Sequence, residues 1–124
     1  MFFVFFFIQV RTRSNIKWKT NAQTIVGGNG KGNQLNQLSS PCGIYVDQRQ
    51  HIYIADYKNH RIVKWKLGEN NGEIVAGGNG QGNRIDQLFW PTDVIVDENN
   101  KSLIICDCGN RRVVRWSLPR TAKD

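Results

Sequence analysis

At 124 residues, with 40% hydrophobic and 22% charged residues, the chain holds at most one ordinary domain. Its 17 Lys and Arg against 10 Asp and Glu give a formal charge of +7. That balance permits an acidic partner, whether RNA, an acidic protein surface or anionic lipid, and by itself selects none. Three cysteines, Cys42, Cys106 and Cys108, cannot all pair within the chain and do not recur at equivalent positions, which argues against a disulfide framework and for free thiols in a reducing compartment such as the cytoplasm.

The leader, 1–19, opens on Met1-Phe2-Phe3-Val4-Phe5-Phe6-Phe7-Ile8. This run is shorter than the roughly twenty apolar residues that span a bilayer. It lacks a basic n-region, and Arg11 and Arg13 stand where a small-residue cleavage site belongs. A poor signal or anchor, a strand of a preceding unit, and an artefact of where the chain was started all stay open. The leader closes on Ile16-Lys17-Trp18-Lys19, which matches Val63-Lys64-Trp65-Lys66 and reads as the outer strand of a preceding unit.

From residue 20 the chain says one thing twice. Gly27-Gly28-Asn29-Gly30-Lys31-Gly32-Asn33 returns as Gly77-Gly78-Asn79-Gly80-Gln81-Gly82-Asn83, and the match continues through Leu38/Leu88, Pro41/Pro91 and Asp47/Asp97. After a one-residue slip, Asp56, Asn59, Arg61, Val63 and Trp65 pair with Asp107, Asn110, Arg112, Val114 and Trp116. A period near fifty residues marks a propeller or solenoid, whose units need neighbours to cover their apolar faces. The units are 20–66 and 67–118, followed by a polar tail, 119–124.

Each unit reads as four short strands. In the first, these are Gln23-Thr24-Ile25-Val26, Gly43 to Asp47, His51 to Ala55 and Arg61 to Trp65; in the second, Glu73 to Ala76, Asp93 to Asp97, Leu103 to Cys106 and Arg112 to Trp116. All are β-branched or aromatic runs between Gly, Asn and Asp clusters, and no helical period is sustained. Ile44-Tyr45-Val46, Val94-Ile95-Val96, Ile52-Tyr53-Ile54-Ala55 and Leu103-Ile104-Ile105-Cys106 are continuous apolar runs, expected to be covered on both faces. The strands ending in Trp65 and Trp116 alternate with Lys64 and Arg115, which suits an outer strand with one solvated face. The expected fold is all-β: a β-propeller of two four-stranded blades plus the outer strand of a third, an incomplete ring. Such a chain is expected to belong to a longer array or to self-associate through exposed blade faces.

Pro41-Cys42-Gly43-Ile44-Tyr45-Val46-Asp47, His51 to Asp56, and Asn59-His60-Arg61-Ile62-Val63-Lys64-Trp65 together resemble the NHL repeat, and the second copy is similar, departing at Asp93 and Arg111, where the family favours Gly and His. The resemblance covers about residues 20–118. It implies six-bladed propellers that serve as protein-binding or RNA-binding platforms, as in tripartite-motif ubiquitin ligases, more rarely as a metal-dependent lyase for amidated peptides or an extracellular sensor. A ligase role needs a RING domain, whose cysteine and histidine pattern this sequence lacks.

The glycine-rich loops read as structural connections, with Gly supplying positive φ and Asn29 or Asn79 the turn hydrogen bonds. A phosphate loop would lead into a helix. Asp56 and Asn59, like Asp107 and Asn110, are expected to pin their turns, each carboxylate bonding the Arg five residues on. Those turns present Tyr57, Lys58, His60, Arg61, Arg111 and Arg112 along one rim, a basic arc able to hold an acidic peptide, or RNA with Tyr57 stacking on a base. Cys106 and Cys108, two apart on an expected strand, share a face but lack zinc-site spacing. His51 and His60 show no partner at metal-ligand or general-base spacing. Phe89-Trp90 reads as packing against a missing neighbour rather than as an exposed ligand-contact patch. The expectation is a non-enzymatic binding module without cofactor or metal. A protein partner leads, RNA is the alternative, and neither DNA nor a membrane span is expected.

Overall fold

The computed structural model describes residues 17, 18 and 20–120. It is all-β apart from two short 3-10 turns, Tyr57–Asn59 and Cys108–Asn110. Strands β1 (Pro41–Val46), β2 (His51–Asp56), β3 (Arg61–Lys66) and β4 (Glu73–Gly77) form one sheet in that order; β5 (Pro91–Asp97), β6 (Ser102–Asp107) and β7 (Arg112–Ser117) form a second. Neighbours are antiparallel throughout. Two sheets of four and three strands therefore stand where two of four were expected.

The difference has a simple cause. The strand before the second glycine loop, β4, hydrogen-bonds to β3 and completes the first sheet instead of opening the second. Repeat and sheet are out of phase. Gln23-Thr24-Ile25-Val26, expected to be a strand of the first unit, forms none, and neither do Lys17 and Trp18. The rest of that expected outer strand, Ile16 and Lys19, lies outside the described residues, as does the apolar run of residues 1–8.

Register sorts each sheet into two faces. Because Ile44 pairs with Ile54, and Ile54 with Val63, these residues share a face with Val46, Ile52 and Trp65. Val26 and Leu38 pack over the buried part of that face. The opposite face carries Tyr53, Ala55 and Ile62, which join Val94, Leu103 and Ile105 of the second sheet in the main core. Leu88, from the second loop, is fully buried there.

Two burial expectations are corrected. Strand β3, expected to be half solvated, has Ile62, Val63 and Trp65 buried, because β4 flanks it and both of its faces are covered. Strand β7 keeps the expected alternation. Conversely β1 and β5, expected to be covered on both faces, are sheet edges, and Ile44, Val46 and Ile95 are exposed.

Candidate functional site

The two glycine loops fold alike. Gly27, Gly28 and Gly30 have φ of 75°, 82° and 79°, and Gly77, Gly78 and Gly80 have 68°, 78° and 82°, values that L side chains rarely adopt. Asn29 Nδ2 donates to the Asn36 carbonyl (3.0 Å) and Asn79 Nδ2 to the Asp86 carbonyl (2.9 Å). Each loop is then locked to the turn that follows β2 or β6.

That lock is built on a carboxylate. Asp56 Oδ1 accepts from the Ser39 N–H at 2.7 Å, and Oδ2 accepts from Asn59 Nδ2 and Arg61 Nε, both at 2.8 Å. Asn59 also donates to the Gly32 carbonyl. The Arg61 guanidinium also donates to the carbonyls of Asn33, Gln34 and Gln37. Asp107, Asn110 and Arg112 make the same set to Phe89 N–H and to the carbonyls of Gly82, Asn83, Arg84 and Gln87. A planar guanidinium with a fixed fork of donors suits such a convergent set of oxygens. Arg61 and Arg112 thus face inward, not along the rim.

The remaining rim residues fall into two groups. His60 and Arg111 occupy the left-handed position closing each 3-10 turn (φ 53° and 54°). Tyr57 stacks on Trp90 of the next repeat, with centroids 5.6 Å apart and planes 12° off parallel, while His60 lies against Phe89. The Trp90 N–H donates to His60 Nδ1 at 3.2 Å. Burial, opposed by the Asp107 charge, pushes the His60 pKa below its usual 6.5, in keeping with a neutral ring that accepts this bond. Tyr57, His60, Phe89 and Trp90 therefore form one aromatic cluster bridging the repeats. Lys58 and Arg111 are exposed on their respective turns, and Trp90 remains 42% exposed. Phe89-Trp90, expected to pack against a missing neighbour, packs instead against the first repeat's own turn.

Histidine supplies a second correction. His51, expected to be without a partner, sets Nδ1 2.9 Å from Asp47 Oδ2 across the β1–β2 turn. The same carboxylate accepts from the Arg49 and His51 N–H groups. Burial opposes ionisation of Asp47, but the His51 and Arg49 hydrogen bonds outweigh it and hold its pKa below 3.8. The pair borders a cleft of about 320 Å3 between the sheets, with Tyr53, Lys64, Glu73 and Glu98 among its walls. Tyr53 is pushed up to about 12, chiefly by burial and then by the Asp47 and Glu98 charges, so its hydroxyl stays protonated. Against a carboxylate acceptor, His51 Nδ1 is the donor of this bond. The signal was present in the sequence as Asp-x-x-x-His over a tight hairpin. In the second repeat Ser102 stands in place of His51, and Asp97 binds Arg115 and Asn100 instead.

Among the described residues no group of three or more His, Cys, Asp or Glu is placed to hold a metal ion. Cys106 ends up on β6 and Cys108 on the following 3-10 turn, so the strand face they were expected to share does not extend to both. All three thiols are free. Among the described residues no helix is long and apolar enough to cross a membrane.

The stretch that holds the first lock and its turn, residues 38–65, matches the family model of the NHL repeat. No curated protein matches the chain. The lock built on Asp107 repeats, in the second half of the chain, the hydrogen bonds that Asp56 makes within the matched stretch.

Proposed function

We propose that this protein is a non-catalytic, β-propeller-type binding module that recognises an acidic segment of a partner protein on the rim formed by the two 3-10 turns. The observation that carries this reading is the Tyr57–Trp90 stack, an aromatic surface that stays partly exposed, with exposed Lys58 next to Tyr57 in the chain. Aromatic and basic residues in a pre-ordered cluster contribute contact area at little entropic cost. A +7 chain also attracts acidic partners over distance. Substrate recognition for a ubiquitin ligase is one specific form of this role, with catalysis supplied by a RING domain.

Random-peptide phage display against the folded chain tests it. Selected peptides should be rich in Asp and Glu, and binding should fall at least tenfold, by about 1.4 kcal/mol or more, in both Lys58→Glu and Trp90→Ala. RNA is the second reading, favoured by the same stack, because an exposed indole takes a base as readily as a side chain. Failure to select peptides, with salt-sensitive binding of oligouridylate that Lys58→Glu weakens, would replace the first reading by the second.

A further inference from the structure

Trp90 holds a left-handed backbone, with φ of 51°. The equivalent place in the first repeat, left-handed too, belongs to Ser40, a short polar residue. A bulky indole is a costly occupant of such a backbone and persists only where its surroundings over-determine it. Phe89, just before it, is fixed from within the second repeat: its N–H donates to Asp107 Oδ1 and its carbonyl accepts from the Gly109 N–H, each at 2.7 Å. Trp90 is held from the first repeat instead. Its N–H crosses to His60 Nδ1, and its ring stacks on Tyr57 of the same turn.

A ring nitrogen that accepts a hydrogen bond carries no proton, so the neutral His60 ring keeps its proton on Nε2. In the imidazolium both nitrogens are donors, and Nδ1–H then confronts the Trp90 N–H. We propose that the His60–Trp90 bond is a pH-operated latch: protonation of His60 releases Trp90 and opens its stack on Tyr57, so the aromatic surface bridging the repeats is assembled only while His60 is neutral.

The groups around the ring set the range. From the second repeat, Asp107 favours the imidazolium, but it is itself bonded to Asn110 and Arg112, and burial of His60 outweighs it and keeps protonation below the usual 6.5. Phe89 and Trp90 bring no charge. Gly77 and Gly78, which approach the His60 carbonyl, bring none either. On its own turn stand Lys58, exposed, and Arg61, tied to Asp56. Asp47, held below 3.8, and Asp97, at about 2, are protonated only further into acid, which separates the latch from their loss.

The consequence for recognition rests on the reading of this rim as a binding surface. Opening removes the stacked indole, whereas the single charge gained at His60 is screened by solvent. An acidic partner is therefore held more weakly in mild acid than at neutral pH.

NMR on the full chain tests the latch without any ligand. Ring-to-ring NOEs between Tyr57 and Trp90 should be present at about pH 7.5 and fade as His60 titrates, followed through its own Cε1 proton, with a midpoint below 6.5. His60→Asn can offer an amide oxygen to the Trp90 N–H and does not titrate, so its NOEs should persist in mild acid. His60→Arg supplies no acceptor and should lack them throughout; the second repeat already carries Arg111 in this left-handed position. NOEs that survive protonation of His60 in wild type, or that fade equally in His60→Asn, would overturn the latch. An oligoaspartate peptide should bind wild type at least threefold more weakly at about pH 5.5 than at about pH 7.5, with a smaller change in His60→Asn. NOEs that switch while the peptide binds at neither pH would sink the reading of the rim and leave the latch standing.

Discussion

The two repeats build the same carboxylate lock in different surroundings. Arg61 is 4% exposed and Arg112 34%, while Asp56 and Asp107 are both fully buried. Donor, acceptor and distance barely change: Arg Nε to Asp Oδ2 is 2.8 Å in one and 2.7 Å in the other. What differs is the neighbour, because the second repeat lies over the first lock and among the described residues nothing equivalent lies over the second. A hydrogen-bonded ion pair shielded from water depends more on both partners than an open one, since a charge left alone cannot be rehydrated cheaply. The pair of locks is thus an internal measure of what a neighbouring repeat adds.

The largest expected effect is Arg61→Ala, which leaves Asp56 buried without its main counter-charge and should cost about 3–5 kcal/mol. Arg112→Ala opens a site that water already reaches, and about 1.5–3 kcal/mol is expected. Urea denaturation of both variants would measure the gap; equal losses would mean that the neighbour adds nothing to the lock. Glycines sharpen the same contrast. A Cβ on Gly77 would run into the His60 carbonyl and lie 3.2 Å from the Arg61 Cα, whereas on Gly27 it would touch only the Leu38 side chain, at 3.4 Å or more. Both hold positive φ, which costs about 1–3 kcal/mol for a side chain, so Gly77→Ala should exceed Gly27→Ala by its backbone clash.

Smaller effects follow at the aromatic bridge. Trp90→Ala removes the stack on Tyr57 and should cost about 0.5–1.5 kcal/mol beyond lost area, detectable as a lower midpoint with unchanged slope in urea. The subtlest signal is a pH dependence at His60. Its folded pKa lies below the unfolded 6.5, so between the two the unfolded chain binds more protons. The stabilisation is complete above pH 6.5 and is lost as pH falls through that window toward the folded value. His60→Asn, which tolerates the left-handed backbone, should remove this slope while leaving the loss on further acidification, where Asp47 and Asp97, the latter at about 2, become protonated.

Much of this was legible in the chain because local chemistry dictated it. The apolar runs of the seven strands, the positive-φ glycines and the Asp, Asn, Arg spacing of the locks are set by residues close in the chain. Strand partnership was not legible. Ile74-Val75-Ala76 has the same composition whether it opens one sheet or closes another, and only β3 decides. Exposure was missed for a related reason: Ile44-Tyr45-Val46 reads as a buried run, but its burial depends on what lies opposite. His51 was missed although its contact with Asp47 spans only four residues, because the two meet only once β1 and β2 close their hairpin. The stack of Tyr57 on Trp90 joins residues far apart in the chain and left no local trace.

The phase difference between repeat and sheet also concerns how such a chain can be cut or copied. β4 is encoded in the second repeat yet completes the first sheet, so the covalent thread between repeats is also a hydrogen-bonded clasp. A boundary drawn at the repeat, near residue 67, would strand Glu73–Gly77 in the wrong piece and strip β3 of its partner. The unit of duplication is therefore not the unit of folding, and modules spliced at the repeat boundary would inherit an orphan strand at one end and an open edge at the other.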